Sequence, residues 1–140
     1  MGLILCATRG GEESEETQAG AIALARERGD RLVFLYVADV SFLDRIAAPV
    51  VVDIEAELER MGRFQLAMAR RQASAQGVEA EAVIRHGHLA SELVAVARDL
   101  GATIVVLGRP REGAPVFDDE ALISFVAHLQ AETDAEVRVL

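Results

Sequence analysis

The residues best suited to chemistry lie in two glycine-containing turns that each follow an apolar run. After "ATIVVLG" come Gly108, Arg109, Arg111 and Gly113, with Ser124 further on. After "LILCAT" come Thr8, Arg9, Gly10 and Gly11. Glycines let backbone N–H groups approach a phosphate with no Cβ in the way. Arginine forks match phosphate and carboxylate, and a serine near a helix start adds a donor. The chemistry indicated is capture of an anion or a nucleotide. Two features oppose it. Ile123 stands where a further glycine would help, and Asp118, Asp119 and Glu120 come just before it. Like charges near a protein surface cost on the order of 1 kcal/mol or more per unscreened contact. The same acids offer Arg109 and Arg111 partners within their own loop, which would close the pocket rather than fill it.

Other candidates for chemistry are weaker. His86 and His88 flank Gly87. An H-x-H pair can hold a metal only with a third ligand, and nothing in the sequence places Asp39 or Asp44 there. The favoured reading is a pair of exposed loop histidines, one of them capping a helix. Ser124 and His128 are one helical turn apart, a spacing more typical of a surface contact than of a nucleophile and its base. The 14 basic residues are all arginine, so Schiff-base and other lysine chemistry is excluded. Cys6 is the single cysteine, sits in an apolar run and reads as a small buried hydrophobe. No catalytic residue, no metal site and no enzyme activity are expected.

The elements that must position these residues alternate. "LILCAT", "RLVFLYV" and "ATIVVLG" are continuous apolar runs, the mark of strands buried on both faces. "EAEAVIR" alternates, as an edge strand does, and "AEVRVL" closes the chain. Between them run four helical segments. The first has Ala19, Ile22, Ala23 and Arg26 at helical spacing. The second, from Ile54, turns Leu58, Met61, Leu66 and Met68 or Ala69 inward, with Gly77 as its cap. Residues 38–52, with Pro49, read as a long irregular connection, either an interaction surface or a lid. The order βαβαβαβαβ implies one doubly wound α/β domain over residues 1–140, a parallel sheet with helices on both faces, taken here as five strands in the order 3-2-1-4-5. Ligands of such sheets sit beyond the carboxyl ends of the strands where the strand order reverses, here between the first and fourth strands. Thr8, Arg9, Gly10, Gly108, Arg109 and Arg111 belong there, and Val37 ends the neighbouring second strand at the same edge.

Composition bounds the partners. The chain is 51% apolar and 26% charged, as a globular domain is, with a net charge of −9 that disfavours nucleic acid. No apolar run approaches the roughly 20 residues of a membrane span, and the opening lacks the pattern of a signal peptide, so a cytoplasmic location is expected. An apolar last strand at a sheet edge has backbone groups that seek a partner.

The chain resembles the universal stress protein family. The resemblance lies in "ILCATRGGEESEETQAGAIALARERGDRLVFLYV", in "HGHLASELVAVARDLGATIVVLGR" and in "SFVAHLQAETDAEVRVL". It implies the adenine-nucleotide α-hydrolase-like fold and a stress-response role. It also implies a homodimer built through the terminal strand, Val137, Arg138, Val139 and Leu140. Members of the family that bind ATP have an aspartate after the first strand and a G-x2-G-x9-G-S/T loop after the fourth. Here the aspartate position is Arg9, and the loop reads G-x4-G-x9-I-S from Gly108 through Gly113 to Ile123 and Ser124. The reading that follows is a non-catalytic regulatory protein with a degenerate nucleotide loop, no bound cofactor and an unidentified protein partner. The alternative is a sensor of ATP, AMP or a small anion, held by Thr8, Arg9, Gly10, Val37, Gly108, Arg109, Arg111, Gly113 and Ser124. A response-regulator receiver is excluded, because it needs acids after the first strand and a lysine.

Overall fold

A computed structural model describes residues 2–8, 12–38, 48–108 and 119–140. The elements are β1 (Leu3–Ala7), α1 (Glu12–Arg28), β2 (Arg31–Ala38), α2 (Ala48–Ala75), β3 (Ala80–His86), α3 (Leu89–Leu100), β4 (Ile104–Leu107), α4 (Asp119–Glu132) and β5 (Glu136–Val139). All five strands are parallel, in the order β3-β2-β1-β4-β5. This is the expected topology.

The continuous apolar strands are buried on both sides because each side is covered by helices. Ile4, Cys6, Leu32, Phe34, Tyr36, Ile104 and Val106 meet Ala21, Ile22 and Ala25 of α1 and Leu66, Ala69 and Ala73 of α2. On the other face, Leu3, Leu5, Val33, Leu35, Val105 and Leu107 meet Leu93, Val94, Val96 and Ala97 of α3 and Leu129 of α4. The alternating β3 is an edge strand, as its pattern suggested. Gly29 and Gly77 end α1 and α2 with φ of 69° and 79°, a left-handed conformation that costs glycine little.

Three expectations need correction. Residues 48–52 are not irregular: α2 already begins at Ala48. Pro49 falls in its first turn, where no intrahelical N–H is lost. Residues 39–47 of the expected connection lie outside the described residues. On α2, Met61 and Met68 point outward, at 55% and 47% exposure. Its inner face consists of Leu66 with the small residues Gly62, Ala69 and Ala73, which let the helix lie close to the sheet. On α1, only Ile22 of the four spaced residues is buried; Ala19, Ala23 and Arg26 are exposed, and Thr17, Gln18, Ala21 and Ala25 face in.

Cys6 is fully buried in the sheet, and burial pushes its thiol up to about 12. Its reaction with a disulfide reagent is therefore expected to be at least a hundredfold slower in the native protein than in denaturant. Native labelling at the denatured rate would contradict this placement.

Candidate functional site

The crevice at the carboxyl ends of β1 and β4 starts from Thr8 and Gly108. These are tied together through two consecutive residues of α1. Gln18 donates from Nε2 to Thr8 Oγ1 at 2.6 Å, and both residues are buried. Thr17, also buried, donates from Oγ1 to the carbonyl of Leu140 at 3.3 Å. Thr8 N–H donates to the Leu35 carbonyl at 2.8 Å and Leu140 N–H to the Leu107 carbonyl at 2.9 Å. Thr8, Thr17 and Gln18 are the buried polar residues among those described. All three lie on this one shoulder of the sheet.

Gly108 has a structural reason to be glycine. A Cβ there would come within 2.9 Å of Thr17 Oγ1. Gly20 is similar: a Cβ would meet Leu140 Cδ1 at 2.8 Å. The close approach that glycine permits is thus made by α1 and by the chain's own C-terminal residue. Sequence reasoning placed Thr8 and Gly108 correctly at this point but missed Thr17 and Gln18. Their signal was available, since they continue the inward stripe of Ala21, Ile22 and Ala25 as polar residues that need buried partners.

Val37 does not join this group. It packs with Val83 and Ala7 on the face covered by α3 and α4, whereas Thr8 engages α1 on the opposite face. Successive residues of a strand point to opposite sides, so a residue at the right end of the sheet can still face the wrong way. Ser124 and Ile123 lie inside α4, four or more residues past its start at Asp119. Both are exposed, Ile123 at 69%. Arg9, Gly10, Arg109, Arg111 and Gly113 lie outside the described residues.

The two histidines separate. His86 reaches from β3 towards α2, with Nδ1 3.7 Å from Glu55 and Nε2 3.7 Å from Glu59. Glu59 also accepts from Arg63 at 3.0 Å, and that bond holds its carboxyl below the usual range. His88 stands at the N-cap of α3, but its side chain makes no capping hydrogen bond, contrary to the expectation that one histidine caps. Among the described residues no group of three or more His, Cys, Asp or Glu side chains is arranged to hold a metal. No described helix is long and apolar enough to cross a membrane. A groove of about 560 Å³ lies away from the crevice, between Ala19, Ile22 and Ala23 of α1, Gln72 of α2 and Gln76 just past its end.

The Thr8–Gln18 bond gives a direct test of the crevice. Thr8→Val is expected to cost about 1.5 kcal/mol, because the Gln18 amide loses its buried acceptor. Adding Gln18→Leu should recover part of that loss. Strict additivity in a double-mutant cycle would mean that the two side chains do not interact.

Comparison with known proteins agrees with this fold. A universal stress protein from Burkholderia pseudomallei superposes with a TM-score of 0.73 at 23% identity, covering 99% of this chain and 94% of that one. The universal stress protein UspA of Lactobacillus plantarum gives 0.81 at 17% identity, with coverage of 99% and 97%. A universal stress protein family protein of Arabidopsis thaliana with AMP bound gives 0.67 at 13% identity, with coverage of 100% and 91%. At these identities the likeness establishes the fold. No curated protein matches the chain. The profile of the universal stress protein family matches residues 1–116. With the sheet order and the sequence pattern, that match settles the assignment: the chain belongs to the universal stress protein family.

Proposed function

We propose that this universal stress protein is a non-catalytic regulatory protein that acts without ATP. The observation that carries the reading is the start of α4. The first four N–H groups of a helix are free to meet a phosphate, and those further in are committed to the helix. Because α4 begins at Asp119, the amides of Ile123 and Ser124 fall within it. In the family's ATP loop, the corresponding glycine and hydroxyl residue should open the helix. Here the first turn carries Asp119 and Glu120, whose charge suits the helix dipole and opposes a triphosphate. Arg9 in place of the family's aspartate removes the usual nucleoside acceptor.

Regulation without a ligand requires a protein surface. The β5 edge supplies one. Its outer side pairs with no strand among the described residues, while Val137 and Val139 pack inward. Antiparallel pairing with the β5 of a second copy would satisfy those backbone groups. Deleting residues 137–140 should yield monomer or unfolded protein by light scattering and circular dichroism; an undiminished dimer overturns the assignment to this edge.

A second reading is favoured by the relatives. Solved universal stress proteins include one in complex with cAMP, one from Archaeoglobus fulgidus with dAMP and the Arabidopsis protein with AMP. A monophosphate asks less of the loop than a triphosphate, and Arg9, Arg109 and Arg111 are at hand in the sequence. Calorimetric titration separates the readings. Neither ATP nor AMP should give saturable heat under the first. AMP heat that Arg9→Ala abolishes would establish the second.

A further inference from the structure

Helix α2 carries an apolar stripe on its outer side. Met61, Phe64 and Met68 are 55%, 63% and 47% exposed. Their spacing of three and four residues puts them on one face. The inner face is already occupied by Leu66, Ala69 and Ala73 against the sheet, so the stripe is additional to the helix's own packing. It also belongs to neither the crevice nor the β5 edge, because α2 packs on β2 and β3, at the far end of the sheet from β5.

One acid–base pair beside the stripe is placed symmetrically about Phe64. Glu57 and Arg71 stand seven residues to either side of it, on the same outward face. Fourteen residues of helix span about 21 Å. If a second α2 lies antiparallel on the first, with a two-fold axis through Phe64, residues equidistant from Phe64 face one another. Glu57 of one copy then meets Arg71 of the other, twice. Met61 meets the small exposed Ala67, Phe64 meets Phe64, and the stem of Arg60 covers Met68. Met61 thus faces a small residue, the two rings stack at the axis, and the one acid–base pair is of opposite charge. A two-fold interface requires this kind of self-complementarity. Within the protomer, Glu57 pairs along its own helix with Arg60 at 2.7 Å, between side chains 63% and 73% exposed. An intrahelical pair so exposed is weak and can be exchanged for one across an interface.

We propose that the Met61–Phe64–Met68 stripe of α2 is a self-association surface that takes the α2 of a second copy of this chain in antiparallel register. A single pair of helices buries less than the roughly 1,600 Å² of a standard interface, so the association is expected in the micromolar range. With a β5 contact at the opposite end of the sheet, it would make each protomer two-sided and allow higher assemblies.

Sedimentation velocity across about 1–200 µM protein tests this, bracketing the expected affinity. The variants are Phe64→Glu, Glu57→Arg, Arg71→Glu and the exchange Glu57→Arg with Arg71→Glu, each checked for native circular dichroism. The wild type should show a concentration-dependent doubling of mass. Phe64→Glu and each single charge reversal should weaken it tenfold or more, and the exchange should restore it. Restoration by the exchange is specific to a two-fold contact between copies. No doubling in the wild type, or an exchange no better than the single reversals, overturns the proposal. None of the Phe64, Glu57 and Arg71 substitutions touches the β5 edge, so a doubling made through β5 would persist in all of them and is distinguishable from the α2 contact.

Discussion

Phe34→Ala is expected to remove about 3–5 kcal/mol of stability, close to the whole stability of many domains. Phe34 is fully buried in β2, a strand flanked by β1 and β3. Its register partners are Cys6 on β1 and Ala82 on β3, both small. Short side chains beside the ring cannot reach into the space it would leave. The helices above rest on Ala21, Ala25, Ala69 and Ala73, which are equally short. Partial collapse is therefore poor and the cavity remains, which is the costly case. Urea denaturation should show a much lower midpoint with an unchanged slope. A loss below about 1 kcal/mol would mean that this side of the sheet repacks freely, contrary to the packing described.

Gly62→Ala is expected to cost about 2 kcal/mol even though alanine is the better helix former. The propensity gain is about 1 kcal/mol. Against it, a Cβ on Gly62 would overlap the Tyr36 ring, with Cε1 at 2.6 Å and Cγ at 2.9 Å. Tyr36 is only 7% exposed and belongs to the core under α2. Neither the ring nor the helix can move without disturbing the rest of the contact, and overpacking of this kind costs about 1–3 kcal/mol, here at the upper end. Thermal unfolding should fall by several degrees for a domain of this size. Tyr36→Phe should leave the penalty in place, because the ring is the obstacle, and Tyr36→Leu should relieve it. A gain in stability on Gly62→Ala would contradict the close seating of α2, and with it the outward turn of Met61, Phe64 and Met68.

These two positions show where the sequence was readable and where it was not. β1, β2 and β4 stood out because burial on both faces forces uninterrupted apolar runs, and β3 because one side of an edge strand meets water. The alternation of elements was enough for a parallel doubly wound sheet; the order 3-2-1-4-5 came with the family resemblance. The orientation of α2 was readable only in part: Leu58, Leu66 and Ala69 face inward as expected, but Gly62 and Ala73 complete that face while Met61, Phe64 and Met68 look outward. Small residues contribute little to an apolar pattern, and here close approach decides the face. Pro49 was read as a breaker although a first helical turn accepts it. At the site, the reversal of strand order located Thr8 and Gly108. It gave no account of Thr17 and Gln18, whose place on the inward stripe of α1 was missed and whose partners are Leu140, far away in sequence, and Thr8, across the first turn. Val37 lies at the same end of the sheet but packs on the other face from Thr8, and position along a strand does not tell the face until the register is known.

The most direct test of a universal stress protein working without ATP is a thermal-shift titration with magnesium and ATP, with AMP and inorganic phosphate alongside. A ligand at about 100 times its dissociation constant adds roughly 2.7 kcal/mol of stability, which is several degrees here. The account predicts no saturable shift with ATP up to millimolar concentration. A saturable shift of several degrees with ATP would contradict it, and would mean that phosphate is bound despite the early start of α4 and the acids at its first turn.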